Sequence, residues 1–151
     1  MWRRVTSVTG FRDEFAPWFR VGIPRGVESL TTATAPLGRP LGRVWVLLLG
    51  FIPVDYDDIT LVSLDPGLGF HECSPMLTQR EWVHKRRLEP TDSATVLTDD
   101  ISFVPRRGVP GSLYRAVTVR IFRHRHRRLQ RWFGGELLGA AYTQTIGEQP
   151  G

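Results

Sequence analysis

The chain has 151 residues, of which 41% are hydrophobic and 23% are charged, and this composition is ordinary for one soluble globular domain with a sizeable core. Its single cysteine, Cys73, excludes an internal disulfide and fits a reducing compartment. The longest apolar run, residues 44–54, is about half of the ~20 residues that a membrane-spanning helix needs. The N-terminal segment has basic residues but no apolar run behind them, so we expect no signal peptide and a cytoplasmic protein.

From the N-terminus, the first periodic feature is a set of aromatic residues. They recur at i, i+4, i+7 and i+8, and they are Phe11, Phe15, Trp18 and Phe19. This spacing predicts a short amphipathic helix over residues 10–19, which Pro17 kinks or divides. Residues 30–41 mix Thr, Ala, Pro and Gly without a firm period, and we interpret them as a loop or a weak strand.

The middle of the chain predicts about five strands in antiparallel hairpins. Runs rich in β-branched and aromatic residues alternate with Gly, Pro and Asp turn signals. The predicted strands cover residues 43–49, 59–64, 70–74, 78–88 and 94–104. The predicted turns cover residues 53–58, with three acids, 65–67 and 89–92.

Residues 113–133 are predicted to form the one long helix. Its apolar positions recur at spacings of 3, 4, 3 and 4, and they are Val119, Phe122, His126, Leu129 and Phe133. Seven arginines and no acid lie in this segment, and subtracting them from the net charge of +5 leaves −2 for the rest of the chain. Gly134 and Gly135 end the helix. We therefore predict one domain over residues 1–135 and a flexible tail over residues 136–151.

The order of helix, strands and long helix indicates an α+β fold. A curved antiparallel sheet has one face to cover, and a single long helix with an apolar stripe can cover it. We therefore predict a curved sheet that wraps around the C-terminal helix.

Four stretches of the chain carry a resemblance: GRVWVLLLGFIPVDYDD, EWVHKR, TVLTDDISF and FRHRHRRL. Together and in this order they resemble the START-like (SRPBCC) helix-grip superfamily, which includes polyketide cyclases, lipid-transfer domains and plant hormone receptors. The resemblance covers residues 2–133. It implies a long cavity between the sheet and the C-terminal helix that binds apolar or amphipathic small molecules. It does not imply one reaction, because this fold hosts carriers, receptors and enzymes.

One departure from the superfamily concerns the start of the chain. Domains of this kind usually open with a strand that precedes the first helix and joins the ends of the sheet. Here Met1 stands immediately before residues 2–5, where that strand should already have ended. Because losing the strand would expose two sheet edges, we expect that the true start lies upstream. The alternative is a chain that lacks its first strand.

A candidate site lies on the hairpin formed by the last two predicted strands. If this hairpin closes symmetrically, residues whose numbers sum to 183 stand opposite each other, which pairs His84 with Asp99 and Arg86 with Leu97. A carboxylate within ~5 Å raises the pKa of a histidine and fixes its tautomer. In a cavity, such a pair serves as a general acid and base or anchors a ligand carbonyl. The structural alternative is a pair that only satisfies buried polar groups.

The expected ligand-binding residues come from the strands and from the apolar face of the long helix. They are Trp45, Tyr56, Trp82, His84, Arg86, Asp99, Phe122 and His126. His84 and Asp99 are also the candidates for any catalytic role. No cofactor or metal is expected, because neither HxxxH nor HExxH occurs and the histidines at positions 124 and 126 point ~200° apart on a helix.

The sequence leaves three functions open. The leading prediction is binding of a hydrophobic or amphipathic small molecule, lipid-like or polyketide-like, without catalysis. The second is a cyclase or dehydratase in which Asp99 activates His84 for proton transfer on a polyketide-like substrate. The third is a surface binder whose arginine-rich helix contacts nucleic acid or anionic lipid, with an affinity that falls steeply with salt. No nucleic-acid-binding motif accompanies the arginines, so a nucleic-acid partner is not expected.

Overall fold

The computed structural model describes residues 1–22 and 36–139, so parts of the predicted loop at 30–41 and of the predicted tail at 136–151 lie outside the described residues. The described helices are α1 (Trp2–Val5), α2 (Val8–Phe15) and α3 (Gly111–Phe133). The described strands are β1 (Phe19–Val21), β2 (Pro40–Leu48), β3 (Ile52–Asp65), β4 (Gly69–Ser74), β5 (Gln79–Pro90) and β6 (Thr95–Pro105). Among the helices in these ranges, none has the length and apolar character needed to span a bilayer.

The six strands form one sheet in sequential order, and each neighbouring pair is antiparallel. Sequential antiparallel strands pair with their chain neighbours because short turns join them. The sheet curls into a half-barrel, and the C-terminal helix α3 completes an arrangement of the helix-grip type. The predicted α+β fold is confirmed.

The inner face of the sheet is the face that packs against α3. Residues that stand directly opposite each other share a face, and the register places Leu61 opposite Glu72, Glu72 opposite His84, and His84 opposite Ile101. The ring of Phe122 on α3 lies 5.3 Å from the ring of His84. These four strand residues therefore define the inner face, and side chains alternate between the two faces along each strand except at the β-bulges. The bulge between Gln79 and Glu81 pairs Gln79 with Pro105, so Gln79 also belongs to the inner face.

Three layers of side chains lie between α3 and the inner face of β5 and β6. The first layer is apolar and consists of Val5, Leu88 and Leu129. The third layer is aromatic, with ring centroids 4.9 to 6.5 Å apart, and consists of Trp82, Phe103, Tyr114 and Phe122. Along β5, His84 and Arg86 lie between Leu88 and Trp82. The middle layer is therefore polar and charged, and it contains the candidate site.

The acidic segment at residues 53–58 was predicted to be a turn, and this prediction is wrong because the segment belongs to β3. Asp58 accepts two hydrogen bonds from the guanidinium of Arg43 on β2, both of 2.8 Å. This cross-strand ion pair offsets the low strand propensity of aspartate. The other four predicted strands agree with β2, β4, β5 and β6 to within three residues at each end.

The N-terminal helix is shorter than predicted. It ends at Phe15, and Phe19 already begins β1. Ser7 caps α2, since its Oγ accepts a hydrogen bond from the backbone N–H of Gly10 at 3.0 Å. Pro17 has no N–H to continue the helical hydrogen bonds, which explains the early end.

Candidate functional site

A network of buried charges joins α2, β5, β6 and α3 in the middle layer. Its centre is Arg86, whose exposed fraction is 0%. On one side, Nε and Nη2 of Arg86 donate to the two oxygens of Asp99, at 2.7 and 2.8 Å. On the other side, Nη1 and Nη2 donate to the two oxygens of Glu14, each at 3.0 Å. Arg86 therefore bridges two carboxylates through charge-assisted, bidentate pairs.

Arg125 of α3 extends the network at Glu14. Its Nε and Nη2 both donate to Oε2 of Glu14, at 3.0 and 2.8 Å, and its side chain is buried. The guanidinium carbon of Arg125 also lies 4.4 Å from the ring centroid of Phe15 and 4.7 Å from that of Phe122, which are favourable cation–π distances. One carboxylate thus ties α2 to both β5 and α3.

Asp99 also binds two histidines. Nε2 of His84 lies 2.8 Å from Oδ1, and Nε2 of His126 lies 2.8 Å from Oδ2. Because an ionised carboxylate can only accept hydrogen bonds, both histidines carry a hydrogen on Nε2. Together with the two bonds from Arg86, Asp99 accepts four hydrogen bonds, which uses its lone pairs fully.

The contact between His84 and Asp99 agrees with the predicted pair, but the predicted register is wrong by two residues. Arg86 stands opposite Asp99, and His84 stands opposite Ile101 and reaches Asp99 diagonally. The turn between β5 and β6 explains the shift. Thr91 and Ala94 close it with a backbone hydrogen bond of 2.8 Å, so the hairpin is centred one residue later than expected.

Burial and the arginines determine the charges of the network. Burial alone raises the pKa of Asp99, but Arg86 holds it well below its usual value. The pKa of Glu14 is likewise lowered against the effect of burial by Arg86 and Arg125. Burial lowers the pKa of His84 by more than Asp99 raises it. The network therefore contains two carboxylates balanced by two guanidiniums, with a neutral His84 beside them.

Next to this network lies a second polar group, which we call the acidic pair and which consists of Asp57 and Glu72. Burial raises the pKa of Asp57 well above its usual value, and the charge of Glu72 raises it further. Oε1 of Glu72 accepts a hydrogen bond of 2.9 Å from Ser74, and Oε2 lies 3.9 Å from Nδ1 of His84. The acidic pair is therefore adjacent to the charge network on the inner face.

Within the described residues, two buried side-chain oxygens have no hydrogen-bond partner, and they are Oδ1 of Asp57 and Oε1 of Gln79. The hydroxyl of Thr78 donates to Asp55, whose charge also acts on Asp57. The Thr78 oxygen is then free to accept from Nε2 of Gln79, 3.3 Å away. This contact fixes the orientation of the amide, so Oε1 of Gln79 is directed away from Thr78 and needs a donor from elsewhere.

Six of the eight predicted ligand-binding residues lie together, on the inner face or on the side of α3 that packs against it. They are Trp82, His84, Arg86, Asp99, Phe122 and His126. The other two, Trp45 and Tyr56, stand opposite each other and alternate along their strands with the opposed residues Val44 and Asp57. Because Asp57 belongs to the inner face, Trp45 and Tyr56 lie on the outer face and do not join this site.

The two histidines differ in access. The exposed fraction of the side chain is 5% for His84 but 28% for His126, so only His126 reaches the surface. Two open grooves are also present, one of about 510 Å³ around the β3–β4 turn, with Arg86 among its lining residues, and one of about 470 Å³ on the outer side of α3. No group of His, Cys, Asp and Glu in the described ranges has the arrangement of a metal site.

Sequence reasoning missed three members of this site: Glu14, Arg125 and Gln79. Glu14 was not singled out in the sequence, and Arg125 was counted only as one of the seven arginines of the long helix, although both side chains are buried. Each lies three residues from an aromatic member of the apolar stripe of its helix, Phe11 in α2 and Phe122 in α3. A charged residue on the apolar face of one helix, together with a residue of opposite charge on the apolar face of another, could have indicated a buried ion pair.

Comparison with known proteins adds the family but no activity. No curated protein matches the chain, and no solved structure matches it. Residues 1–133 match a protein family that is described as a domain of unknown function, DUF8410. The match covers all the helices and strands described above, including every residue of the charge network. The chain therefore belongs to the DUF8410 family.

Proposed function

We propose that the protein binds an amphipathic small molecule between the inner face of the sheet and α3, with the polar end of the molecule at Asp57 and Gln79. The observation that carries this proposal is the pair of buried oxygens without a partner, Oδ1 of Asp57 and Oε1 of Gln79. An unsatisfied buried acceptor costs about 1–3 kcal/mol, and such groups are rare in native structures. A bound molecule that donates hydrogen bonds here removes this cost.

The surrounding side chains indicate the chemistry of the ligand. Oε1 of Gln79 can only accept a hydrogen bond, so the polar end must carry a donor, such as a hydroxyl or amine group. The carboxyl of Asp57, whose pKa is raised, can donate to or accept from the same group. The half-buried aromatic rings of Trp82 and Phe122 offer an apolar surface for the remainder. This agrees with the expectation from the START-like resemblance, which also implies an apolar or amphipathic ligand.

Binding is better supported than acid–base catalysis by His84. Nε2 of His84 donates to Asp99, and Nδ1 faces Glu72 at 3.9 Å, so neither nitrogen is directed at open space. Arg86 balances the charge of Asp99, which weakens the activation of His84. A cyclase or dehydratase that uses His84 would need both groups released from these contacts.

Native mass spectrometry tests the proposal by comparing mild with denaturing conditions. We expect the purified protein to release a small molecule on denaturation. The Gln79→Met variant has nearly the same shape but lacks the orphan oxygen, so we expect it to lose the molecule. Gln130→Met is the matched control, because Gln130 lies on α3 and its amide donates only to the exposed carbonyl of Gly135.

Thermal unfolding of the ligand-free variants completes the test. Gln79→Met removes an unsatisfied acceptor as well as one weak bond to Thr78, so its stability without ligand should equal or exceed that of the wild type. Loss of ligand from a folded Gln79→Met protein supports the proposal. Equal ligand content in Gln79→Met and Gln130→Met, or no released molecule from the folded wild type, overturns it.

A further inference from the structure

The connection between β2 and β3 forms a protruding apolar surface. We call it the apolar tip and define it by four residues whose exposed fractions are 41 to 71%: Trp18, Leu49, Phe51 and Ile52. The backbone N–H of Leu49 donates to the carbonyl of Trp18 at 2.7 Å, which holds Trp18 against the hairpin. Residues 44–54 contain no charged side chain. Large apolar side chains that are exposed together mark an interaction surface.

Polarity increases in one direction along this hairpin. Behind the apolar tip, Trp45 and Tyr56 pack edge to face on the outer side of the sheet, with ring centroids 5.8 Å apart. Next comes the ion pair of Arg43 with Asp58 at 2.8 Å, and the Arg43 guanidinium lies 4.0 Å from the Tyr56 ring. At about 3.3 Å per residue, the step from Phe51 to Tyr56 spans roughly 16 Å. Apolar, aromatic and charged residues follow each other in this order at a bilayer interface.

The helical layer beside the apolar tip carries positive charge. His124 of α3 lies 2.7 Å, through Nε2, from the carbonyl of Ala16, two residues before Trp18. The exposed arginines of α3 are Arg115, Arg120, Arg123, Arg127 and Arg131, and α3 contains no acid. In α2 the two acids are already paired, Asp13 with Arg4 and Glu14 with the buried network. The electrostatic potential next to the apolar tip is therefore positive, and anionic lipid headgroups complement it.

We propose that the apolar tip inserts into the interfacial region of a bilayer that contains anionic lipids, while the exposed arginines of α3 face the headgroups. A protein partner buries an apolar centre within a polar rim on all sides. The apolar tip instead ends the hairpin, and the charged residues lie behind it in Arg43 and Asp58 and beside it on α3, as insertion of the tip into a bilayer requires. This interaction is independent of the ligand proposed above.

Sedimentation with vesicles tests the insertion. The probes are vesicles of phosphatidylcholine alone and of phosphatidylcholine mixed with phosphatidylglycerol. We expect binding to the mixed vesicles, and we expect Phe51→Ser to weaken it by about tenfold or more, as the loss of one buried aromatic side chain requires. Leu68→Ser is the matched control, since Leu68 is 56% exposed at the β3–β4 turn, at the opposite end of β3. Its affinity should equal that of the wild type.

Two further measurements separate the contribution of the arginines from that of the apolar tip. Arg127→Gln should weaken binding to the mixed vesicles severalfold, and added salt should reduce this difference. Brominated lipids should quench the tryptophan fluorescence of the wild type more than that of Trp18→Phe, because Trp18 lies in the apolar tip. Absence of binding to both vesicles, or equal weakening by Phe51→Ser and Leu68→Ser, overturns the proposal. Light scattering that shows a wild-type dimer, and a monomer for Phe51→Ser, overturns it in favour of a second copy of the chain.

Discussion

Arg86 and Glu14 form a bidentate ion pair in the core although 72 residues separate them in the chain, and both nitrogen–oxygen distances are 3.0 Å. The same guanidinium holds Asp99, so a single side chain fixes α2 to β5 and β6. A buried ion pair is weak evidence for net stability, because removing both charges from water is costly. The consequence of removing only one charge is much clearer.

We expect Arg86→Met to destabilise the protein by about 3–5 kcal/mol, because Glu14 and Asp99 are then buried without their shared cation. Denaturant unfolding followed by circular dichroism measures the change. The control is Arg43→Met, which breaks an exposed ion pair with Asp58 and should hardly change the midpoint. Equal midpoints for Arg86→Met and the wild type would show that Arg86 does not bridge Glu14 and Asp99 in the folded protein.

Two arginines that are neighbours on α3 should behave very differently. Arg125 is buried against Glu14, and Arg127 is exposed. Arg125→Met should lower the free energy of unfolding by about 3 kcal/mol or more, since it removes one partner of a buried pair. Arg127→Met should stay within about 0.5 kcal/mol of the wild type. Similar losses in the two variants would show that Arg125 is not buried in the folded protein.

The fold could be predicted from the sequence because its signals are local. The alternation of apolar and polar residues and the turn residues predict the strands β4, β5 and β6, and the helical spacing of apolar residues predicts α3. The predicted bounds are close to the observed ones. The prediction for residues 53–58 was wrong because the three acids were interpreted as a turn, although the strand-like alternation continues through them. What makes it a strand is Arg43 on β2, a tertiary partner that no local pattern contains.

The candidate site was only partly predictable. His84 and Asp99 were identified because they lie on facing strands of one hairpin, and a register error of two residues did not separate them. Glu14 and Arg125 come from helices at opposite ends of the chain, and only the folded structure brings them together. Trp45 and Tyr56 were assigned to the inner face because aromatic residues are expected inside, whereas the strand parity places them outside.

Asp57 should make stability depend on pH in a direction that is unusual for an aspartate. Its pKa in the folded protein lies well above the ordinary value of 3.8, so above pH 3.8 the folded state holds a proton that the unfolded state has lost. The stability that this proton provides is complete below pH 3.8 and is lost as the pH rises through the folded pKa. Asp57→Asn does not titrate, so its stability relative to the wild type should increase with pH.

Asp58 is the matched control for this prediction. Its hydrogen bonds to Arg43 lower its pKa, so its contribution is present above pH 3.8 and is lost as the pH falls. The stability of Asp58→Asn relative to the wild type should therefore decrease as the pH rises, the opposite direction from Asp57→Asn. Denaturant midpoints measured from pH 2 to pH 8 give both slopes, because the contribution of Asp58 changes below pH 3.8 and that of Asp57 changes above it. If the denaturant midpoints of Asp57→Asn and the wild type change in parallel with pH, Asp57 has an ordinary pKa in the folded protein.

His84 should govern stability in mildly acidic solution. Its folded pKa is lowered below the ordinary value of 6.5, because burial disfavours the charged ring more than Asp99 favours it. With a lowered pKa, its contribution is complete above pH 6.5 and is lost as the pH falls through the folded pKa, since the unfolded state then binds the extra proton. The loss amounts to about 1.4 kcal/mol per pH unit within that window. Gln in place of His84 can still donate to Asp99 but does not titrate, so His84→Gln should remove this loss. The same slope below pH 6.5 in His84→Gln and the wild type would assign the titration to another group.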